Sequence, residues 1–221
     1  MADNMGAPPH GAQIKSRKRV ADHGEVFTNP REVNAMLDLV KPETERLDSR
    51  FLEPACGTGN FLIEILRRKL AVCEQRVRAK QYTQLQYEQN AVLAVSSIYG
   101  IELLEDNAQA CRERLLQFFV EQYRTLFPKT AKAECEEAVR FLLGKNIIQG
   151  DALTYHRTDR PEEWIVVSEW SMIGQGMVNR RDYEFSYLVG DSSDNDLFSD
   201  MPCATFKPVY FLNLREEAYH G

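Results

Sequence analysis

No apolar run in the 221 residues approaches the roughly 18 to 20 needed to cross a bilayer. The polar start, with Lys15, Arg17, Lys18 and Arg19 followed by no apolar block, is no signal peptide, so a cytoplasmic protein without a membrane partner is expected. Five cysteines stand far apart at 56, 73, 111, 135 and 203. With no Cys-x-x-Cys pair and no histidine at ligand spacing, they point to neither disulfides nor a metal site and read as small buried apolar groups. Positive charge is not in excess either. The formal net charge of -6 argues against indiscriminate polyanion binding and leaves only local basic faces, at 15–19, 67–69 and 180–181. No internal repeat is visible.

What is present is an ordinary globular composition, 43% hydrophobic, in a chain long enough for one domain with a sizeable core. Residues 1–23, rich in Gly, Ala, Pro and charge, read as a flexible arm, 24–190 as the domain, and 191–221 as an acidic turn followed by an edge segment. From Pro30 the spacing turns helical, with Val33, Met36, Leu37 and Val40 on one face behind Thr28 and Asn29 as candidate caps. Short buried strands are expected at 51–54, 97–102, 146–151 and 164–167, with an edge strand within 208–214. Helices are expected at 60–80, 85–96, 105–123 and 130–143, the last closed by Gly144. Strands alternating with crossover helices imply an α/β fold with a mostly parallel sheet and a ligand crevice outside the strands' carboxyl ends.

Three acidic residues, Glu53, Glu102 and Asp151, fall at or just after the ends of the first three strands. Between the first strand and its helix lies "FLEPACGTGNFL" (51–62), where Gly57 and Gly59 let the backbone approach a ligand closely. A dinucleotide fingerprint needs a third glycine where Leu62 stands, and a nucleoside-triphosphate loop needs Gly-Lys-Ser/Thr, so neither fits. A ligand with ribose and adenine but no phosphate suits three carboxylates better, and S-adenosylmethionine is such a ligand. Taken singly, a strand-end carboxylate is more often a helix cap or a surface charge. Cys56 has no histidine in the motif to activate it and reads as packing. His23 and His156 have no partner pattern and read as surface residues.

"GEVFTNPREVNAMLDLV" (24–40), "FLEPACGTGNFL" (51–62), "IYGIELLEDNAQACRERLL" (98–116) and "NIIQGDAL" (146–153) resemble successive motifs of the N-6 adenine DNA methyltransferases, in particular the modification enzymes of restriction systems. The likeness covers 24–155 and implies a Rossmann-like class I methyltransferase fold, with a twisted sheet between two helical layers. It also implies that Phe27 and Thr28 line the methionine side of the cofactor, that Glu53 and the loop of Ala55, Cys56, Gly57 and Gly59 hold its amino acid moiety, and that Pro54, Asn60 and Phe61 are cofactor-binding too. Glu102 would accept from the ribose hydroxyls and Asp151 from the adenine amine, with Leu103 and Ala152 flanking the ring.

In that family the fourth strand ends in Asp/Asn/Ser-Pro-Pro-Tyr/Phe, which holds a flipped adenine by stacking and by accepting from its amino group. This chain has Ser168-Glu169-Trp170-Ser171 there instead, and its one Pro-Pro, Pro8-Pro9, lies in the arm. Ser168, Glu169 and Trp170 are candidates for a substitute catalytic site. Equally, Trp170 packs under the sheet and Ser168 caps a turn. "GQGMVNRRDYEF" (174–185) is a candidate loop over that site, with Arg180 and Arg181 on a phosphate backbone. The sheet's last strands are poorly accounted for, and too few residues follow Gly190 for a separate recognition domain. The chain is a minimal enzyme, or a specificity or restriction subunit supplies recognition of DNA, or the chain is a catalytically silent cofactor-binding regulator.

Overall fold

The computed structural model describes residues 16, 19, 28–189 and 201–219. The expected arm apart from Ser16 and Arg19, together with His23, Phe27 and the acidic turn at 191–200, lies outside the described residues. Helix α1 (Pro30–Asp38) starts where a proline at its first position and a preceding Asn29 favour it, and the Asn29 side chain accepts from the Arg31 amide at 2.9 Å. Val33 and Leu37 are buried, but Met36 and Val40 are exposed; the helix ends at Asp38, so Val40 falls off the expected face. A short helix, α2 (Lys41–Glu45), leads to β1 (Phe51–Glu53).

Two helical crossovers follow. The first is α3 (Asn60–Arg78) with α4 (Gln84–Ser96), whose start is a capping box between Thr83 and Gln86. It delivers the chain to β2 (Ile98–Glu102), which pairs parallel to β1 with Glu53 opposite Gly100. The second is α5 (Glu105–Leu126) with α6 (Ala133–Asn146), ending at β3 (Ile147–Gln149), parallel to β2 with Glu102 opposite Gln149. Gly144 does not close α6. The helix continues to Asn146, whose buried side-chain amide donates to the Ser96 and Ile98 carbonyls.

The parallel sheet among the described residues has the three strands in the order β1-β2-β3. What was expected as a fourth strand over 164–167 is instead β4 (Val166–Ile173), antiparallel to β5 (Met177–Glu184) in a separate sheet. The reversal occurs at 174–176, where Gln175 and Gly176 both take positive φ (61° and 77°), the left-handed backbone of a tight hairpin. A short helix α7 (Phe185–Val189) follows, and β6 (Ala204–Thr205) and β7 (Val209–Tyr210) pair with β5. The fold is thus a mixed α/β one, and the mostly parallel sheet expected from the sequence is replaced in its second half by an antiparallel one.

Arg19 and the basic run at 67–69 are tied into the fold. Lys69 is fully buried on α3, donating to the Leu47 and Ser49 carbonyls and the Ser97 hydroxyl at 2.6–3.0 Å. Arg68 is tied to Glu64, Asp38 and Asn34, Arg67 pairs with Glu64, and Arg19 makes two contacts to Asp106 at the start of α5.

Candidate functional site

A cleft of about 510 Å³ opens at the carboxyl ends of β1, β2 and β3. The loop that floors it leaves β1 at Glu53 and enters α3 at Asn60, turning on Gly57 and Gly59, whose φ values of 53° and 83° are left-handed. At Gly59 space is decisive as well, since a Cβ there would stand 2.6 Å from the Cys111 sulfur of α5. The loop is held down by the Cys56 amide, which donates to the Ile101 carbonyl at 3.0 Å.

Thr28, Glu53, Pro54, Ala55, Cys56, Gly57, Asn60, Phe61, Glu102, Leu103, Asp151 and Ala152 all line this one cleft. Gly59, which precedes α3, does not line it. Leu104, Asn107, Gly150 and Leu153 also line it and were not singled out from the sequence. Their signal was position alone: each lies within a few residues of Glu102 or Asp151.

The three carboxylates are not equivalent. Glu102 is 7% exposed, and its Oε2 accepts from the Gly57 amide at 2.8 Å while Oε1 accepts from the Leu104 amide at 3.1 Å and from Asn107 Nδ2 at 3.4 Å. It therefore ties the glycine loop to the first turn of α5. Asp151 Oδ1 accepts from the Leu153 amide at 2.8 Å. Glu53 makes no hydrogen bond or ion pair to a described residue, and burial holds its carboxyl above the usual carboxylate range. Among the described residues every charged side chain lining the cleft is acidic, so its chemistry suits hydroxyls, an amine or another cation better than a polyphosphate. The Cys56 thiol is pushed far up by its hydrogen bond with Cys111 and by burial, which removes it as a nucleophile.

The candidate catalytic group lies elsewhere. Ser168, Glu169 and Trp170 sit inside β4, not after a parallel strand. Ser168 is buried and its hydroxyl donates to Asp182 at 2.8 Å; Glu169 pairs with Arg50 at 2.6 Å. Trp170 is 5% exposed, and its indole N–H donates to Asn146 Oδ1 at 2.8 Å with Phe141 packed edge-on. Arg50 and Asn146 precede β1 and β3, so this group stands at the amino ends of the parallel strands, opposite the cleft. A base has no open face of Trp170 to stack on.

The segment 174–185 forms the hairpin turn and β5 rather than a loop over the cleft. Arg180 is buried, doubly bonded to Asp182 and packed on Trp170, Phe206 and Tyr219, while Arg181 is exposed on β5. His156 lies on the ring of Trp164 with centroids 3.9 Å apart. Among the described residues no group of three or more His, Cys, Asp or Glu is placed to hold a metal, and no helix is long and apolar enough to cross a membrane.

A family model described as "MmeI, DNA-methyltransferase domain" matches residues 43–163, a little over half of the chain. The chain belongs to that family. The match takes in β1, the glycine loop, both crossovers and β3, and hence Glu53, Glu102 and Asp151 on the cleft of this MmeI-type domain. It ends before β4, where the structure departs from a single parallel sheet. No curated protein and no solved structure matches the chain.

Proposed function

We propose that this MmeI-family domain binds S-adenosylmethionine in the cleft and serves methyl transfer to the exocyclic amino group of adenine in DNA, within a restriction-modification system. The observation that carries the reading is the convergence of Glu53, Glu102 and Asp151 on one phosphate-averse cleft beside the Gly57–Gly59 turn. Three parallel strands with crossover helices and a site at their carboxyl ends are also what a Rossmann-like class I methyltransferase core requires. In this reading residues 24–190 form the methyltransferase domain.

The residues present fit the cofactor. Glu53, without a partner among the described residues, takes the cationic amine of the amino acid moiety; Glu102 takes ribose hydroxyl; Asp151 takes the adenine amine, with Leu103 and Ala152 against the ring. When bound, the sulfonium supplies an electrophilic methyl group. The protein's part is positioning, because a nucleophilic nitrogen must be aimed in line with that carbon.

A second reading, a cofactor-binding subunit that performs no transfer by itself, is favoured by the placement of Ser168, Glu169 and Trp170 away from the cleft. In either case DNA recognition is assigned to a specificity or restriction partner. One experiment separates the readings: transfer of labelled methyl groups to methylation-free DNA, with the protein alone and with neighbouring-gene products added. Label on adenine supports the enzyme; cofactor binding by calorimetry with no label in either arm supports the silent subunit. Absence of cofactor binding overturns both.

A further inference from the structure

We infer that Arg114, on the outer side of the glycine loop, is a positioning residue that clamps the Thr28 wall of the cleft through Asn60. The inference rests on the S-adenosylmethionine reading of that cleft. Arg114 lies one turn after Cys111 on α5, the residue whose sulfur fills the space a Gly59 side chain would need, so the same helix face meets the loop twice. Its Nη1 donates to Asn60 Oδ1 at 2.6 Å and to the Thr58 carbonyl at 3.2 Å. The side chain is exposed and forms no ion pair with a described carboxylate; its hydrogen bonds to described residues go to the loop.

The chemistry of an amide side chain gives that contact its consequence. An asparagine has one acceptor end and one donor end, and a guanidinium has donors only. With Arg114 holding the oxygen, Asn60 must turn its Nδ2 the other way, where it donates to the Thr28 carbonyl at 3.0 Å. Thr28 and Asn60 both line the cleft, and Thr28 stands 32 residues from Asn60 in the chain. The relay Arg114–Asn60–Thr28 thus fixes the amide's orientation from outside and fastens a distant segment to the loop. Loss of Arg114 leaves Asn60 free to rotate and Thr28 without a defined partner. Affinity for the cofactor falls.

The test uses the full chain as Arg114→Ala, Arg114→Lys and Asn60→Ala, with an Arg114→Ala/Asn60→Ala double variant. Calorimetry with S-adenosylmethionine is expected to show about tenfold weaker binding for Arg114→Ala, partial recovery for Arg114→Lys, and a double variant no weaker than Asn60→Ala alone. Amide hydrogen exchange without cofactor is expected to quicken at the start of α1 in Arg114→Ala, with the melting temperature little changed. Unchanged exchange in Arg114→Ala, or losses that simply add in the double variant, would overturn the clamp. If the native protein binds no cofactor yet exchange quickens as described, the clamp stands and the cofactor reading fails. Should Arg114→Ala fold poorly, Arg114→Lys, which keeps the charge and reaches one oxygen, carries the same comparison.

Discussion

Glu53 faces the cleft with no described side chain or amide to satisfy it, and burial disfavours its charge. A cationic amine arriving beside it favours the ionised form, so binding pulls off a proton wherever Glu53 is neutral in the free protein. Affinity for S-adenosylmethionine should therefore rise with pH through the free-protein pKa of Glu53 and level off above it. Glu53→Gln should bind more weakly and show a flatter profile by calorimetry from acid to neutral pH. The effect on folding has the opposite sense. A carboxyl whose pKa is raised by folding lowers stability as pH rises above its unfolded value, with the full cost above the folded pKa, so Glu53→Gln should melt higher than the native protein at neutral pH and not in acid. At this scale the cleft was legible in the sequence because its three acids end a strand or, as Asp151 does, follow one by two residues, and strand ends of a parallel sheet converge. Ser168 and Trp170 stayed open in the sequence between a substitute site and plain packing. Their partners, Asp182 and Asn146, lie 14 and 24 residues away, and nothing local distinguishes a buried polar strand residue from a strand-end motif.

Helix α3 shows the same contrast over several turns. Its core face runs through Leu62, Ile65, Leu66, Lys69, Leu70 and Cys73, a helical stripe with one cation in it. Read as composition, 67–69 is a basic patch; read as period, Lys69 belongs with the core. It anchors the 47–49 loop and Ser97, and burial lowers its pKa to about 7. A lysine whose folded pKa is depressed costs stability while the unfolded chain would hold the proton more tightly. That cost is full below about pH 7 and is relieved as pH rises toward the unfolded value of roughly 10.4. Thermal melts of the native protein and of Lys69→Met should diverge in that window, the native protein gaining relative stability from neutral toward alkaline pH. Parallel curves would remove Lys69 as the titrating group. Helix ends were less legible than helix faces. Gly144 resembles a stop signal, but the tertiary hydrogen bonds of Asn146 keep α6 going.

The whole molecule joins two sheets of different character. The parallel one was foreseeable from alternating strands and helices long enough to cross over. The antiparallel one was not, because its turn, Gly174-Gln175-Gly176, serves a hairpin as readily as a loop, and β4 and β5 carry polar residues that only pairing buries. The sheets are joined by the Tyr99 hydroxyl on the Ser168 carbonyl, by Arg50 on Glu169, and by the Trp170 indole on Asn146. Trp170 therefore belongs to the seam. Trp170→Ala should destabilise the protein by about 3–5 kcal/mol in urea titration, the usual cost of emptying a buried indole site. In the cold, where the variant is still folded, cofactor affinity should be that of the native chain. A large loss of affinity in the folded variant would place Trp170 at the cleft after all.

Glu102 adds a constraint on any guest. A carboxylate offers about four acceptor directions, and the Gly57 amide, the Leu104 amide and the Asn107 side chain already occupy three of them. A vicinal diol needs two vacancies, so its second hydroxyl has to evict a tenant, and the 3.4 Å contact from Asn107 is the weakest hold. Asn107→Ala should thus tighten binding of adenosine and leave 2′-deoxyadenosine, which asks for a single vacancy, no better off; equal gains for both would mean the diol never competes there.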